Sequence, residues 1–440
     1  MAFYESTLGN MRVRPSAFNS RNSVFELPPN VRHDYDFAIT TIRLREGILL
    51  RVISSFISAL GGTSIEVYEW KESDIRKARL PNSPNFRTLT TKLPNLAFNG
   101  WSLAHAVVKA DFLDQRNLTM PGLGFLFQAC NLIDCSKNTI QLQAGASKAL
   151  NDFSSSGLSG RIGQGLAILY GHSLGLKFTA HLKAHVDSLQ HGSNAFIHKN
   201  EAMADFLFAD NQKTILIESK GSFSLKTNDP TDIKSVLKPA LKKQIDPWMG
   251  YLQPSPTNGY VVYSCLREHS WCPSAMFVVD PRRKGEEKGY SPSTPEQVMR
   301  ENYGAWLRAM GLPRAAERLV GKPQTETAKR NAGRPEATDF VVFRYGGRDL
   351  AVPYAPGFDF FRCYCGVPAI GIDLFVLKAI SEAINTHSTS LNELLAEFRP
   401  PEPEEFMNER TSRKTISLFP DGSVFGLMPE GPEDLQSILL

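Results

Sequence analysis

Residues 203–221 read MADFLFA, then the turn residues DNQK, then TILIESKG. Short apolar runs bounded by turn residues predict two strands joined as a hairpin. This hairpin constrains the fold because it carries charge where a strand pair is otherwise apolar. Asp205 lies in the first strand, and Glu218 and Lys220 lie in the second. Side chains alternate along a strand, so Glu218 and Lys220 share one face with Ser219 opposite, and the hairpin sets Asp205 alongside them. Two carboxylates and an ammonium are expected to converge there.

The surrounding pattern predicts helix, strand, strand, strand, helix, strand, strand over residues 160–280. GRIGQGLAILYGHS places Ile162, Leu166 and Leu169 at helical spacing. KFTAHLKAHV alternates as a half-buried strand does, although Phe178, Leu182 and Val186 also fit a helix. DIKSVLKPALKKQID predicts a helix with Pro239 near its first turn and Pro247 at its end. GYVVYSCL and AMFVVDP predict two further strands. Outside this block, TIRLREGILLRVISSFISAL has a helical period and TSIEVYEW alternates like a strand. FVVFRYGGRDLAVPY and TISLFPDGSVFGLM predict hairpins turning at Gly346-Gly347 and Asp421-Gly422, with IDLFVLKAISEAI a helix between them.

A length of 440 residues suits two or three domains. The Ser/Gly-rich NDFSSSGLSG at 151–160 predicts a boundary, and RRKGEEKGYSPSTPE after Pro281 predicts a linker. The expected division is an N-terminal accessory region of mixed helix and strand (1–155, its first 35 residues an extended arm), a central domain (156–285) and a C-terminal accessory α+β region (286–440). Residues 282–336 hold twelve Lys/Arg against seven acids, a mild basic excess. The net charge of +4 permits a nucleic-acid partner without demanding one.

The hairpin's charges have a chemical use. Carboxylate oxygens bind Mg²⁺ or Mn²⁺, and such an ion acidifies a bound water and neutralises charge growing on phosphorus. Lys220 can orient that water or stabilise the developing charge. Gly221 would let the backbone turn just beyond the site.

The stretch ADFLFADNQKTILIESKG, with the order of elements around it, resembles the PD-(D/E)XK phosphodiesterase superfamily, the restriction-endonuclease-like fold. The resemblance implies an α/β central domain with an α-β-β-β-α-β core, flanked by two mixed α+β accessory regions. It implies a metal-dependent nuclease that hydrolyses phosphodiesters with a metal-activated water, using Mg²⁺ (or Mn²⁺) and leaving 5′-phosphate and 3′-hydroxyl ends. DNA is favoured over RNA because most of the superfamily acts on DNA. Asp205 and Glu218 would bind the metal, the Ser219 carbonyl would be a further ligand, and Lys220 would serve the attacking water. On the following helix, Gln244 stands for the Gln or Lys that many relatives place near the catalytic group. Lys234, Lys238, Lys242 and Lys243 on that helix would line a phosphate track. Gln164, where the preceding helix often carries an acid, joins Lys238 and Lys242 as an expected nucleic-acid contact. Ala204 replaces the name-giving Pro, and Gln244 to Tyr251 does not match the Q-x-x-x-Y spacing of the RecB-like branch.

Two other functions compete: a nucleic-acid-binding protein on a catalytically inactive nuclease core, and a serine esterase. The esterase rests on Gly171-His172-Ser173-Leu174-Gly175, which matches the G-x-S-x-G elbow. An elbow needs a strand before the serine and a helix after it. The alternation after Gly175 instead predicts that Ser173 ends a helix and Gly175 stops it. His181 and His185 have the H-x-x-x-H spacing of zinc proteases, but Leu182 follows His181 where the general-base Glu would stand. The six cysteines lack C-x-x-C spacing, and reduced thiols are expected.

MAFYESTLGNMRVRP shows no apolar run after a basic start, so a cytoplasmic location is expected. GILLRVISSFISALGG is broken by Arg51 and serines and reads as a buried helix, so no membrane partner is expected. A homo-oligomer or a partner subunit is compatible with this sequence.

Overall fold

In the computed structural model the described residues are 63–83, 85–111, 125, 132–134, 139–189, 202–210, 212–223, 228–268, 272–281, 291–292, 294–321, 337–354, 368–386, 390–401, 416–428 and 433–440. The expected N-terminal arm, the helix expected over 41–60, residues 282–290 of the expected linker and four of the cysteines (Cys130, Cys135, Cys363, Cys365) lie outside them. Cys265 and Cys272 are free thiols.

Apolar runs become the strands of a mixed α/β structure. β1 (Thr63–Trp70), β2 (Thr90–Phe98), β3 (Phe178–His181), β4 (Phe206–Ala209), β5 (Thr214–Phe223), β6 (Asn258–Leu266) and β7 (Ala275–Val279) form one sheet in the order β2-β1-β7-β6-β5-β4-β3. Its principal helices are α1 (Gly100–Asp111), α2 (Asp152–Ser173), α3 (Leu182–Leu189) and α4 (Pro230–Ala240). β3, β4 and β5 are successively antiparallel, whereas β5 and β6 are parallel. Parallel neighbours need a crossover, which α4 supplies. A second sheet follows α5 (Pro295–Ala309) and is joined by α6 (Leu374–Thr386). Its strands are β8 (Ala337–Tyr345), β9 (Arg348–Pro353), β10 (Pro368–Asp373), β11 (Ile416–Leu418), β12 (Ser423–Leu427) and β13 (Glu433–Leu439), in the order β11-β12-β10-β9-β8-β13. Both expected hairpins are present. Gly346, Gly347 and Gly422 supply the positive φ that their turns require.

Four local expectations are corrected. The Ser/Gly-rich stretch expected as a break is the start of α2, capped by the Asn151 side chain accepting from Ser154 N at 2.8 Å. Its small residues serve packing: a Cβ on Gly221 would lie 1.9 Å from the Ser159 carbonyl, and one on Gly163 would lie 2.9 Å from the Gly221 backbone. Gly221 is therefore a point of close helix–strand contact inside β5, not a turn. The alternating KFTAHLKAHV is a strand only to His181; from Leu182 it is α3, with the apolar residues Leu182 and Val186 one helical turn apart. Pro239 sits in the last turn of α4, which starts at Pro230 behind the Asp229 cap. Beyond it the chain widens into a π turn over Leu241–Ile245.

Residues Gly47–Leu440 form one compact unit. β1 and β2 complete the sheet beside β7 and cover what would be an exposed edge. α1 is buried from Gly100 to Ala110, packed against α2 on one side and against β11 and β12 on another. α5 lies on β3 and β4. Among the described residues no helix is long and apolar enough to cross a membrane.

Candidate active site

The register Phe206↔Ile217 places Asp205 opposite Glu218, one step outside β4. Glu218 is 0 % exposed. Its Oε2 accepts a hydrogen bond from the Asp205 backbone N–H at 3.1 Å, and its Oε1 is in ion-pair contact with Lys220 Nζ. Asp205 in turn accepts at Oδ2 from Ser219 N at 3.0 Å and from Ser219 Oγ. Asp205, Glu218, Ser219 and Lys220 thus form one network.

One detail differs from the expectation. The Asp205 carboxylate is held by Ser219, whose side chain occupies the face opposite Glu218. Asp205 stands at the bend before β4, outside the pleat, so strand alternation does not direct its side chain. Ser219 engages through its N–H and hydroxyl.

Burial raises the Glu218 carboxyl to about 8, the negative Asp205 adds to this, and the Lys220 charge opposes it. Apart from the Lys220 ammonium, no donor reaches Glu218 Oε1, and none reaches Asp205 Oδ1 among the described residues. A buried carboxylate held by few donors beside a second carboxylate fits a hard divalent cation. Such an ion would rest on few protein ligands, since the described residues contain no group of three or more His, Cys, Asp or Glu placed to hold a metal.

The two faces of β5 are covered differently. Gly259 pairs with Leu216, and a Cβ there would lie 2.6 Å from Ile245 Cγ2, so the π turn roofs the face shared by Leu216, Glu218 and Lys220. α2 covers the Ser219 and Gly221 face. Gln244, within the π turn, donates from Nε2 to the Met203 carbonyl at 3.0 Å. Trp248 Nε1 donates to the Ala202 carbonyl, also at 3.0 Å. Together they fix the segment that leads into Asp205. Gln244 therefore acts as a positioning residue in this structure, and Trp248 joins it without any spacing in the sequence to announce it.

The expected lysine row is divided. Lys234 and Lys238 both donate to the Lys77 carbonyl, at 2.7 and 3.1 Å, whereas Lys242 and Lys243 are exposed. Gln164 is half-buried on α2, next to the Gly163–Gly221 contact.

The histidines part company. His181 ends β3 beside the site, where Leu182 N donates to the Asp205 carbonyl at 3.0 Å. Burial lowers its imidazole to about 4, against a hydrogen bond to Ala110 and the Asp205 charge; its Nε2 has no partner. Neither this neighbour nor its open nitrogen was readable from an H-x-x-x-H spacing. His185 is buried on α3 and its Nδ1 pairs with Glu301 at 2.7 Å. Ser173 ends α2, donates from Oγ to the Tyr170 carbonyl at 2.7 Å, and is followed by Gly175 at φ 82°. The helix precedes this serine and the strand follows it, the reverse of an elbow.

Comparison of the chain with protein-family models, with curated proteins and with solved structures found no match.

Proposed function

We propose that the protein is a metal-dependent nuclease with a restriction-endonuclease-like core, acting on nucleic acid in the cytoplasm, with DNA the favoured substrate. One observation carries the reading: a fully buried glutamate in β5, held by one backbone N–H and one lysine, joined to Asp205 just before β4 and to Lys220 two residues further along β5. The order α2, β3, β4, β5, α4, β6 and its antiparallel, antiparallel, parallel pairing support it.

Asp205 and Glu218 would hold Mg²⁺ or Mn²⁺, with the Ser219 carbonyl at hand. When bound, the ion would supply Lewis acidity toward phosphate and water. Glu218 must lose its proton to bind a cation, so the raised carboxyl makes the site's affinity rise with pH toward 8. Lys220, with its side chain 36 % exposed, reaches solvent and can donate N–H bonds to the charge that grows on the phosphoryl oxygens as water adds and the ester bond breaks. Gln244 and Trp248 keep the Asp205 segment in place. The attachment of Asp205 to Ser219 favours a second reading, a nucleic-acid-binding protein on an inactive core.

The test compares the wild type with Asp205→Ala and Lys220→Ala on plasmid and linear DNA. Cleavage is expected with Mg²⁺ or Mn²⁺ and not with EDTA, and it should fall roughly 10²-fold or more in each variant. A melting temperature raised by Mg²⁺ in the wild type, and not in Glu218→Gln, reports the ion without relying on activity. DNA binding indifferent to Mg²⁺, with no cleavage, would establish the second reading instead.

A further inference from the structure

The second sheet holds a cavity of about 400 Å³ between the start of β9, the first turn of α6 and residues 397–399. Its walls combine two kinds of group. Phe375 and Phe398 are near-parallel aromatic rings, 17° apart with centroids at 6.3 Å. Around them stand three cations, Arg348, Lys378 and Arg399, and three carboxylates, Asp349, Asp373 and Glu397.

Phe375 departs from the logic of its own helix. α6 buries Leu374, Val376, Leu377, Ile380, Ala383 and Ile384, the apolar stripe of an amphipathic helix. Phe375 and Lys378 lie three apart on the outward side, and Phe375 is 43 % exposed, one of few large apolar side chains exposed among the described residues. Core packing does not account for an aromatic ring at that position.

The cations divide in the same way. Arg348 is already used: its guanidinium lies 5.8 Å from the Phe398 ring centroid and pairs with Asp373 at 3.4 Å. Lys378 and Arg399 have no carboxylate partner among the described residues. The cavity therefore offers an open aromatic face, two cations unpaired among the described residues and, in Glu397 and Asp349, acceptors.

A ligand that satisfies all three is a planar ring bearing amino groups and an anion. We propose that this cavity binds one nucleotide unit. Its base stacks on Phe375, its phosphate lies toward Lys378 and Arg399, and Glu397 accepts from an exocyclic amino group. Base stacking on an exposed aromatic side chain is sequence-tolerant, and a cavity of this size falls in the range of small-ligand sites. The unit could be a free nucleotide or one turned out of a nucleic-acid strand. The proposal stands apart from the Glu218 site, since no residue is shared.

The test is calorimetric titration of the full chain in EDTA, which prevents cleavage. The probes are dAMP, dCMP, dGMP and dTMP, then a short single-stranded and a double-stranded oligonucleotide. At least one probe should bind saturably. Phe375→Ala should weaken that binding about tenfold or more, Phe375→Trp should retain it, and Lys378→Ala should weaken it about threefold and lower its salt dependence. Mononucleotide binding with this pattern identifies a free-nucleotide site; the pattern with oligonucleotides alone identifies a site for a turned-out base. No binding of any probe, or binding unchanged by both Phe375→Ala and Lys378→Ala, overturns the proposal. Phe375 is exposed, so the alanine variant should keep the wild-type melting temperature. If it does not, the Trp and Lys378 variants decide. DNA cleavage without Phe375-sensitive binding sinks this proposal alone, and Phe375-sensitive binding without cleavage sinks the nuclease reading alone.

Discussion

Among the described residues two lysine–carboxylate pairs have a wholly buried carboxylate, and they are finished in opposite ways. Lys109 of α1 pairs with Asp421 in the turn between β11 and β12. Asp421 Oδ1 also accepts from Ser423 N at 3.1 Å and Ser423 Oγ at 2.6 Å, and Oδ2 from Asn302 Nδ2 at 2.7 Å. Tyr303 OH donates to the Asp421 carbonyl at 2.9 Å. Burial works to raise the Asp421 carboxyl, but the Lys109 charge and the donors around it hold it well below the usual carboxylate range. Glu218, equally buried, has one backbone donor and one lysine, stands beside the negative Asp205, and is pushed up. Burial is common to both, so the donors around each carboxylate, and the Asp205 charge beside Glu218, decide which stays ionised. The fuller network ties α1 to the second sheet; the sparser one leaves Glu218 with few partners.

The sharpest break in this comparison would come from removing one partner of each pair. Lys109→Ala or Asp421→Ala strands a buried charge and should cost about 3–5 kcal/mol in denaturant unfolding. Lys220→Ala should cost no more than about 1 kcal/mol, because Lys220 is partly exposed and Glu218 can take up a proton. Equal losses in the two experiments would show that the pairs are alike.

The pH dependence separates them by sign. Folded Glu218, raised to about 8, binds its proton more tightly than the unfolded chain does. Its stabilisation is complete below its ordinary value of 4.5 and is lost as pH rises toward 8. Asp421 behaves oppositely: its stabilisation is complete above its ordinary value of 3.8 and is lost as pH falls through its lowered one. In EDTA the wild type should lose roughly 3 kcal/mol of unfolding free energy between about pH 5 and 8 through Glu218. Glu218→Gln should flatten that limb, and Mg²⁺ should restore stability at the upper end. A limb unchanged by Glu218→Gln would mean that this carboxyl ionises freely.

The two pairs also differ in how far the sequence reveals them. Glu218 and Lys220 are two residues apart, and the β4–β5 turn brings Asp205 close, so strand alternation and a turn were enough to group them. Lys109 and Asp421 are 312 residues apart, and neither lies in a pattern that names the other. The same limit hid Trp248 and the neighbour relation of His181. Local ambiguity explains other misses. Serine and glycine at 151–160 serve a break and a close helix contact equally well, and only the β5 backbone against α2 decides between them. Apolar residues at 178, 182 and 186 fit both periods, and the chain uses one and then the other. The orientation of Asp205 was beyond reach because the residue lies just outside the strand whose alternation would have set it.

The smallest expected effect concerns two amides, one beside each pair. Asn302 is 1 % exposed and engaged at both ends, donating to Asp421 and accepting from Thr179 N at 3.1 Å. Gln244 is half-buried and donates to a single carbonyl, that of Met203, while Trp248 independently holds Ala202. Asn302→Ala leaves buried groups without partners and should cost about 1–3 kcal/mol. Gln244→Ala removes one hydrogen bond of a doubly held segment and should cost about 1 kcal/mol or less. Its effect on the nuclease reading follows from position: Asp205 lies two residues beyond Met203, so a looser segment displaces the carboxylate slightly without removing it. Cleavage should fall roughly threefold to tenfold, far less than in Asp205→Ala. A loss as large as that of Asp205→Ala, in a variant that melts like the wild type, would place Gln244 against the reacting atoms rather than behind them.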